Sequence, residues 1–325
     1  MNNIAVLCGG FSGEDVISMQ SAQTIIDHIN GSKYRVFKVI LSVNGWSVED
    51  LKGASWKINK QDFTCYNDSE TVAFDGVLNI IHGTPGEDGK IQGYFDLLGI
   101  KYNGCEVLIS ALTFNKGFCN QYLRQNGISV AESVLISREQ DCNEEEIIGK
   151  LGLPCFVKPN DGGSSIGVTK VKSSDELAPA IKLAFGVSDR ILIESFVEGT
   201  EITCGVIRIG GEVRSLAVTE IVFENDFFDF EAKYDSPGTQ EITPARISEI
   251  EYNKTMELSK RIYKLLDCRG FFRADFILCK GELYLIEVNT VPGMSQKSLM
   301  PQQLEYANVS LEEVLEYQIE QMLKS

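Results

Sequence analysis

Residues 4–42 restrict the possible folds more than any other stretch. IAVLCGG (4–10) is an apolar run that ends in glycines, and SGEDVISMQSAQTIIDHING (12–31) then carries a helical pattern from Ser12, the expected N-cap, to Gly31, the expected stop. YRVFKVILS (34–42) is a second apolar run, and FDGVLNIIHG (74–83) a third. Strand, glycine turn, helix and strand is the grammar of an α/β sheet with helical crossovers. A short helix near Tyr94 completes a unit that closes at Asn103 and Gly104.

Two further sections follow. The second has helices around 106–126, VLIS at 134–137, an acidic helix around 143–150, CFVKP, a glycine loop, IGVTKV, a helix around 174–185 and ILIESFV. The third is richer in strand: EITCGVIRI, the turn GGE, VRSLAVTEIVF, a long polar stretch 224–245, a helix at 249–266, the hairpin GFFRADFILC–KGE–LYLIEVNT, and a helix over Leu311 to Leu323. Stretch 224–245 is long for a connection and too aromatic for ordinary disorder, which makes it a candidate lid. With 325 residues, 43% of them hydrophobic, the chain has material for two or three cores. The predicted domains are 1–104, 105–194 and 195–325.

A net charge of −16 argues against general nucleic-acid binding and against docking on anionic membranes. The nine cysteines form no CxxC or CxxH pair, so they read as apolar packing in a reducing compartment rather than as a zinc ribbon or disulfide frame. With no basic leader and no membrane-length apolar run, the expected location is the cytoplasm.

Two stretches carry chemistry. In FVKPNDGGSSIG (156–167) a lysine on a strand precedes a loop of glycines and serines. Such a loop brings backbone N–H groups close to an anion while Lys158 supplies charge; the alternative is a hairpin turn with a snorkelling lysine. The lysine precedes the glycines, so this is not a Walker loop. In the hairpin, residues two apart share a face, so Arg273 goes with Asp275 and Glu287 with Asn289. If both pairs point the same way, an arginine, two acids and an amide converge among Phe, Ile and Leu, and such hard oxygens suit Mg²⁺. The alternative is an edge hairpin with a solvated polar face.

Lys116, Lys158 with its loop, LIESFVEGTE, the Arg273–Asp275 strand and EVNTVPG, in this order, resemble an ATP-grasp carboxylate–amine ligase. CGGFSGEDVIS, IIHGTPGEDGKIQG, EAKY and NTVPGMSQKSL narrow the resemblance to the D-alanine–D-alanine ligase family over almost the whole chain. The resemblance implies a three-domain ATP-grasp architecture of α/β class with an N-terminal Rossmann-like parallel-sheet domain. It implies ATP as co-substrate, two Mg²⁺ ions (Mn²⁺ as a substitute) and a homodimer. Lys116, Lys158 and Lys233 are then phosphate ligands with Gly163, Ser164 and Ser165; Glu194, Phe196 and Val197 border adenine, and Glu201 accepts from the ribose. Asp275, Glu287 and Asn289 hold the metal. Glu14 pairs with the ammonium of the first D-alanine and joins Ser164 and Tyr234 in a hydrogen-bonded set. His82 lies near the first carboxylate, and His28 is structural. Arg273 and the amide of Gly293 form the oxyanion site, while Ser298 and Leu299 grip the second carboxylate. Tyr234 stands where D-lactate-joining relatives tend to carry Phe, which favours an amine as second substrate. The chain departs from the family at Gly162, a glutamate in some relatives, and at Ser195, commonly a lysine. The competing readings are another ATP-grasp amino-acid or D-lactate ligase, a nucleotide-binding regulator without turnover, and, last, a dinucleotide-dependent oxidoreductase, for which CGGFSGE lacks the GxGxxG spacing.

Overall fold

The computed structural model describes residues 1–140, 142–163, 166–223 and 239–324. The first sheet runs β1 (Asn2–Gly9), β2 (Tyr34–Ser42), β3 (Gly45–Asp50), β4 (Ser55–Asn59), β5 (Thr64–Tyr66), β6 (Thr71–Val72) and β7 (Gly76–Asn79), in the spatial order β6-β5-β4-β3-β2-β1-β7. β1 pairs in parallel with β2 and β7, as the crossover α1 (Asp15–His28) requires. The sheet is therefore mixed. Beyond β2 it continues as antiparallel strands that the sequence reading passed over, because GWSVED and SWKIN alternate weakly and β5 and β6 are very short. Gly9 ends β1 at φ 86°, and a Cβ there would lie 2.2 Å from the Leu41 carbonyl oxygen, so the turn into α1 demands glycine.

Helices α2 (Lys90–Leu98), α3 (Val107–Phe114) and α4 (Lys116–Gln125) lead to a second sheet of β8 (Ser133–Ser137), β9 (Cys155–Pro159), β10 (Thr169–Val171) and β11 (Arg190–Ser195), wholly antiparallel in the order β10-β9-β11-β8. α5 (Glu144–Leu151) and α6 (Leu177–Phe185) supply buried residues to its core, including Leu151 and Leu177. The third sheet comprises β12 (Thr200–Ile209), β13 (Glu212–Phe223), β14 (Thr239–Ile242), β15 (Phe272–Cys279) and β16 (Glu282–Asn289), in the order β14-β13-β12-β15-β16. α7 (Glu249–Leu265) packs on it behind a Ser248–Glu251 capping box. The expected lid stretch 224–245 is described only from residue 239, where β14 pairs with β13; its remainder, with Lys233 and Tyr234, lies outside the described residues.

The chain closes with α8 (Leu299–Tyr306), absent from the sequence reading, and α9 (Leu311–Lys324). Neither stays within the third section: Leu304, Val314, Leu315, Ile319 and Met322 share one core with Ile4, Val6, Ile25 and Leu78 of the first. The predicted N-cap Ser12 is replaced by Glu14, which is followed by the first helical turn; the Ser12 hydroxyl instead donates to the His82 carbonyl at 2.9 Å. All nine cysteines are free, seven of them buried. No helix among the described residues is long and apolar enough to cross a membrane.

Candidate active site

The hairpin brings its polar residues together across the strands. Arg273 stands opposite Asn289 and Asp275 opposite Glu287, so both pairs occupy one face of β15 and β16. The register slips just past Asp275, which leaves Ile286 as an extra residue and separates this polar end from the regular apolar pairing beyond it. The Arg273 guanidinium grips Asp275 with both arms, Nε to Oδ1 and Nη2 to Oδ2 at 2.8 Å each. Thr203 of β12 donates to Oδ1 at 2.5 Å and Asn289 Nδ2 to Oδ2 at 3.0 Å. A carboxylate only 8% exposed is thereby satisfied at about four lone-pair positions.

α4 and the glycine loop meet this hairpin. Asn115 caps α4 through the Phe118 N–H, and Asn160 Oδ1 accepts the Gly117 N–H at 2.8 Å. This fixes Lys116, whose Nζ lies 2.6 Å from the Gly162 carbonyl and 3.2 Å from Glu287. Burial disfavours that ammonium's charge, but the carboxylates around it, Glu287 first and then Glu87 and Glu194, together hold Lys116 above the usual lysine range. On the second sheet, Lys158 pairs with Leu192 and Phe156 with Glu194, which makes Lys158 and Glu194 diagonal neighbours on one face. They form a buried ion pair at 2.5 Å, and Asn120 of α4 donates to Glu194 at 3.1 Å. Asn120 lies one helical turn from Lys116, a spacing visible in the sequence but assigned no role there. Phe196 sits against Phe156, with Lys170 Nζ 4.0 Å from its ring centre; this cation on β10 was also not anticipated.

The first section contributes the opposite wall. Gly163 lies against Glu14, since a Cβ there would meet Glu14 Oε2 at 2.7 Å. His82 is buried with both ring nitrogens engaged, Nδ1 with the Val291 carbonyl at 2.7 Å and Nε2 with Ser21 Oγ at 3.1 Å. A carbonyl only accepts, so Nδ1 carries the proton and Nε2 takes one from Ser21. Burial holds the imidazole below its ordinary range, hence neutral. Glu87, unassigned in the sequence reading although it lies within HGTPGEDG, accepts from the Gly83 N–H at 2.7 Å and the Val291 N–H at 3.3 Å. Burial, and then the charge of Glu14, push its carboxyl up to about 8 against those two donors.

These parts enclose a cavity of 380 Å³ lined by Glu14, His82, Lys116, Gly163, Arg273 and Glu287, and further by Asn289, Gly293, Ser298 and Leu299. Lys158, Glu194, Phe196, Val197 and Glu201 lie outside that lining, on or beside β9, β11 and β12, and Asp275 stands behind Arg273. Ser298 occupies the N-cap of α8 with its hydroxyl 2.7 Å from Ser295 Oγ, and Leu299 is the first helical residue. Ser164 and Ser165 lie outside the described residues.

Two family models cover most of the chain: "D-ala D-ala ligase N-terminus" matches residues 3–105 and "D-ala D-ala ligase C-terminus" residues 122–320. The chain belongs to the D-alanine–D-alanine ligase family. Members named D-alanine–D-alanine ligase from Azobacteroides pseudotrichonymphae and Phocaeicola vulgatus are 46% and 45% identical to it, covering 97% and 96% of this chain and 98% and 96% of their own. Among solved structures, the VanG D-Ala:D-Ser ligase of Enterococcus faecalis superposes with a TM-score of 0.87 at 33% identity, covering 99% of both chains. The ATP complex of the Bacillus anthracis D-alanine–D-alanine ligase gives 0.77 at 28% identity over 100% of this chain and 98% of that one. The expected ATP-grasp architecture is thus borne out, although the first sheet, expected to be parallel, carries an antiparallel extension. By chemistry two carboxylates and an amide on one sheet face suit a hard divalent ion. Glu287 and Asn289 line the cavity, while the Asp275 oxygens are engaged by Arg273, Thr203 and Asn289 and would exchange partners to take it. Among the described residues no cluster of three Asp, Glu, His or Cys side chains stands ready to hold one.

Proposed function

We propose that this protein joins two D-alanine molecules to D-alanyl-D-alanine at the expense of ATP, for cell-wall precursor synthesis in the cytoplasm. The observation that supports it most is the convergence of Glu14, the glycine loop, Lys116, Arg273 and the Gly293–Leu299 segment on one cavity. A carboxylate is a poor electrophile. Attack of the first D-alanine's carboxylate oxygen on the γ-phosphorus of ATP breaks the bond to the β-phosphate oxygen, releasing ADP and giving an acyl phosphate with a good leaving group. The neutral amine of the second D-alanine then attacks the carbonyl and gives up a proton, and the tetrahedral intermediate expels phosphate to leave the dipeptide.

The roles are those the resemblance implies, and the geometry above supports the ones whose residues line the cavity. Glu14 pairs with the first ammonium, and Lys116, Lys158 and the 162–165 loop hold phosphate oxygens, with Lys233 arriving from the 224–245 stretch. Glu194, Phe196, Val197 and Glu201 border the nucleoside. Arg273 and the Gly293 amide stabilise charge on the attacked carbonyl, while Ser298 and the helix N-terminus at Leu299 take the second carboxylate. Asp275, Glu287 and Asn289 would hold Mg²⁺, which neutralises phosphate charge when bound. Ser164 and Tyr234 complete the Glu14 set. A neutral His82 with both nitrogens occupied contributes to substrate binding by shaping the wall beside the first carboxylate. We also propose a homodimer, which light scattering tests directly.

The experiment is incubation with ATP, Mg²⁺ and D-alanine, followed by mass spectrometry for the dipeptide. No dipeptide, or no more phosphate release with D-alanine than with L-alanine, overturns the proposal. The likeness to a D-Ala:D-Ser ligase supports adding D-serine and D-lactate as second substrates in the same assay.

A further inference from the structure

The segment Val291–Met294 carries the Gly293 amide, and two side chains of the first section hold it from both ends. Glu87 Oε1 accepts the Val291 N–H at 3.3 Å, while Oε2 takes the Gly83 N–H at 2.7 Å. At the other end, Ser21 Oγ accepts the Met294 N–H at 3.0 Å. His82 joins the two grips, since its Nδ1–H donates to the Val291 carbonyl and its Nε2 receives the Ser21 hydroxyl proton. Ser21 is fully buried on α1, and His82 and Glu87 bracket the HGTPGE turn after β7. Pro292 has no N–H. Of the three N–H groups in the segment, the outer two are therefore consumed, and that of Gly293 has no acceptor among the described residues.

We infer that Glu87 and Ser21 are positioning residues for this reaction: by fixing the N–H groups of Val291 and Met294, they set where the Gly293 amide meets the developing oxyanion. The inference rests on the ligase reading of Gly293. Neither residue needs to touch the reacting atoms. The two grips come from a different section of the chain than the loop they hold, so the amide's position depends on how the first and third sections fit together. Oxyanion donors act through placement, and an error of about 1 Å in a catalytic group costs on the order of 100-fold in rate.

Glu87→Gln keeps one acceptor oxygen but sets an amide N–H against a backbone N–H, so one grip is lost. Ser21→Ala removes the acceptor for Met294 and the donor for His82. For both variants we expect kcat to fall about 10- to 100-fold, with KM for D-alanine changed less than about threefold. A tetrahedral phosphinate dipeptide analogue should lose affinity by the same factor as kcat, while a non-hydrolysable ATP analogue binds as in the wild type. If Glu87→Gln does not fold, Ser21→Ala carries the same test. Unchanged kcat in a folded variant overturns the inference, as does a parallel loss of affinity for D-alanine, phosphinate and nucleotide, which would make these residues supports of the fold alone. A wild-type protein that joins no D-alanine overturns the ligase reading itself, and this inference with it.

Discussion

Asp275 is the residue on which the hairpin's charges balance. Its carboxylate receives Arg273, Thr203 and Asn289 together, so replacing it with Asn removes an ion pair and turns an acceptor into a donor facing donors. Asp275→Asn should lower ADP formation by about 100-fold or more, measured by a coupled assay; activity within threefold of wild type would remove the hairpin from the chemistry. Glu87 gives a prediction about pH. Its carboxyl sits near 8 in the fold against an ordinary 4.5, so between those values the folded chain retains a proton that the unfolded chain has lost. The contribution is fully present below about 4.5 and is lost as pH climbs toward 8. Between pH 5.5 and 8.5 the wild type should therefore lose up to about 3 kcal/mol more stability than Glu87→Gln, read from urea midpoints. Parallel pH profiles for the two proteins would count against it.

Among the elements, the glycine loop and the caps carry distinct expectations. A Cβ at Gly163 would meet the Glu14 carboxylate, so Gly163→Ala should force that carboxylate out of its place against the loop. The expected result is a KM for D-alanine raised about tenfold with the melting temperature held. Ser248→Ala removes the hydroxyl half of the capping box of α7, leaving the residue-248 N–H on the Glu251 carboxylate, and should cost about 1 kcal/mol of stability with no effect on turnover. Much at this scale was legible. β2 matches YRVFKVILS residue for residue, and the alternation rule placed Arg273 with Asp275 and Glu287 with Asn289 before any register was known. What escaped has two causes. β5 and β6 are too short to show a pattern, although their partners are near in the chain, while α8 and the roles of Glu87, Ser21, Thr203 and Gln303 depend on partners far along it. Gln303, for example, accepts the Gly205 N–H and donates to the Thr203 carbonyl and the Thr219 hydroxyl, contacts that no local pattern encodes.

For the whole molecule, the predicted division at residue 195 assigned α8 and α9 to the third section, and the packing complicates that. Lys33 bonds Glu316 and Glu320, Lys101 bonds the Leu323 carbonyl, and Val314, Leu315, Ile319 and Met322 complete the core beneath β1 and β7. Removing residues 311–324 would delete these four buried apolar side chains, whose burial is worth roughly 1.5–3 kcal/mol each, and bare the Ile4, Val6, Ile25 and Leu78 core they complete, a loss comparable to the entire stability of an ordinary domain. The truncated chain should therefore be insoluble or molten by near-ultraviolet circular dichroism, and a soluble, cooperatively melting product would contradict this account. The same packing bears on synthesis. A ribosome makes the first sheet and α1 long before residues 311–324. The part of their shared core that α9 closes therefore stays open while the two later sections are being made, and its last contacts form only once α9 is available.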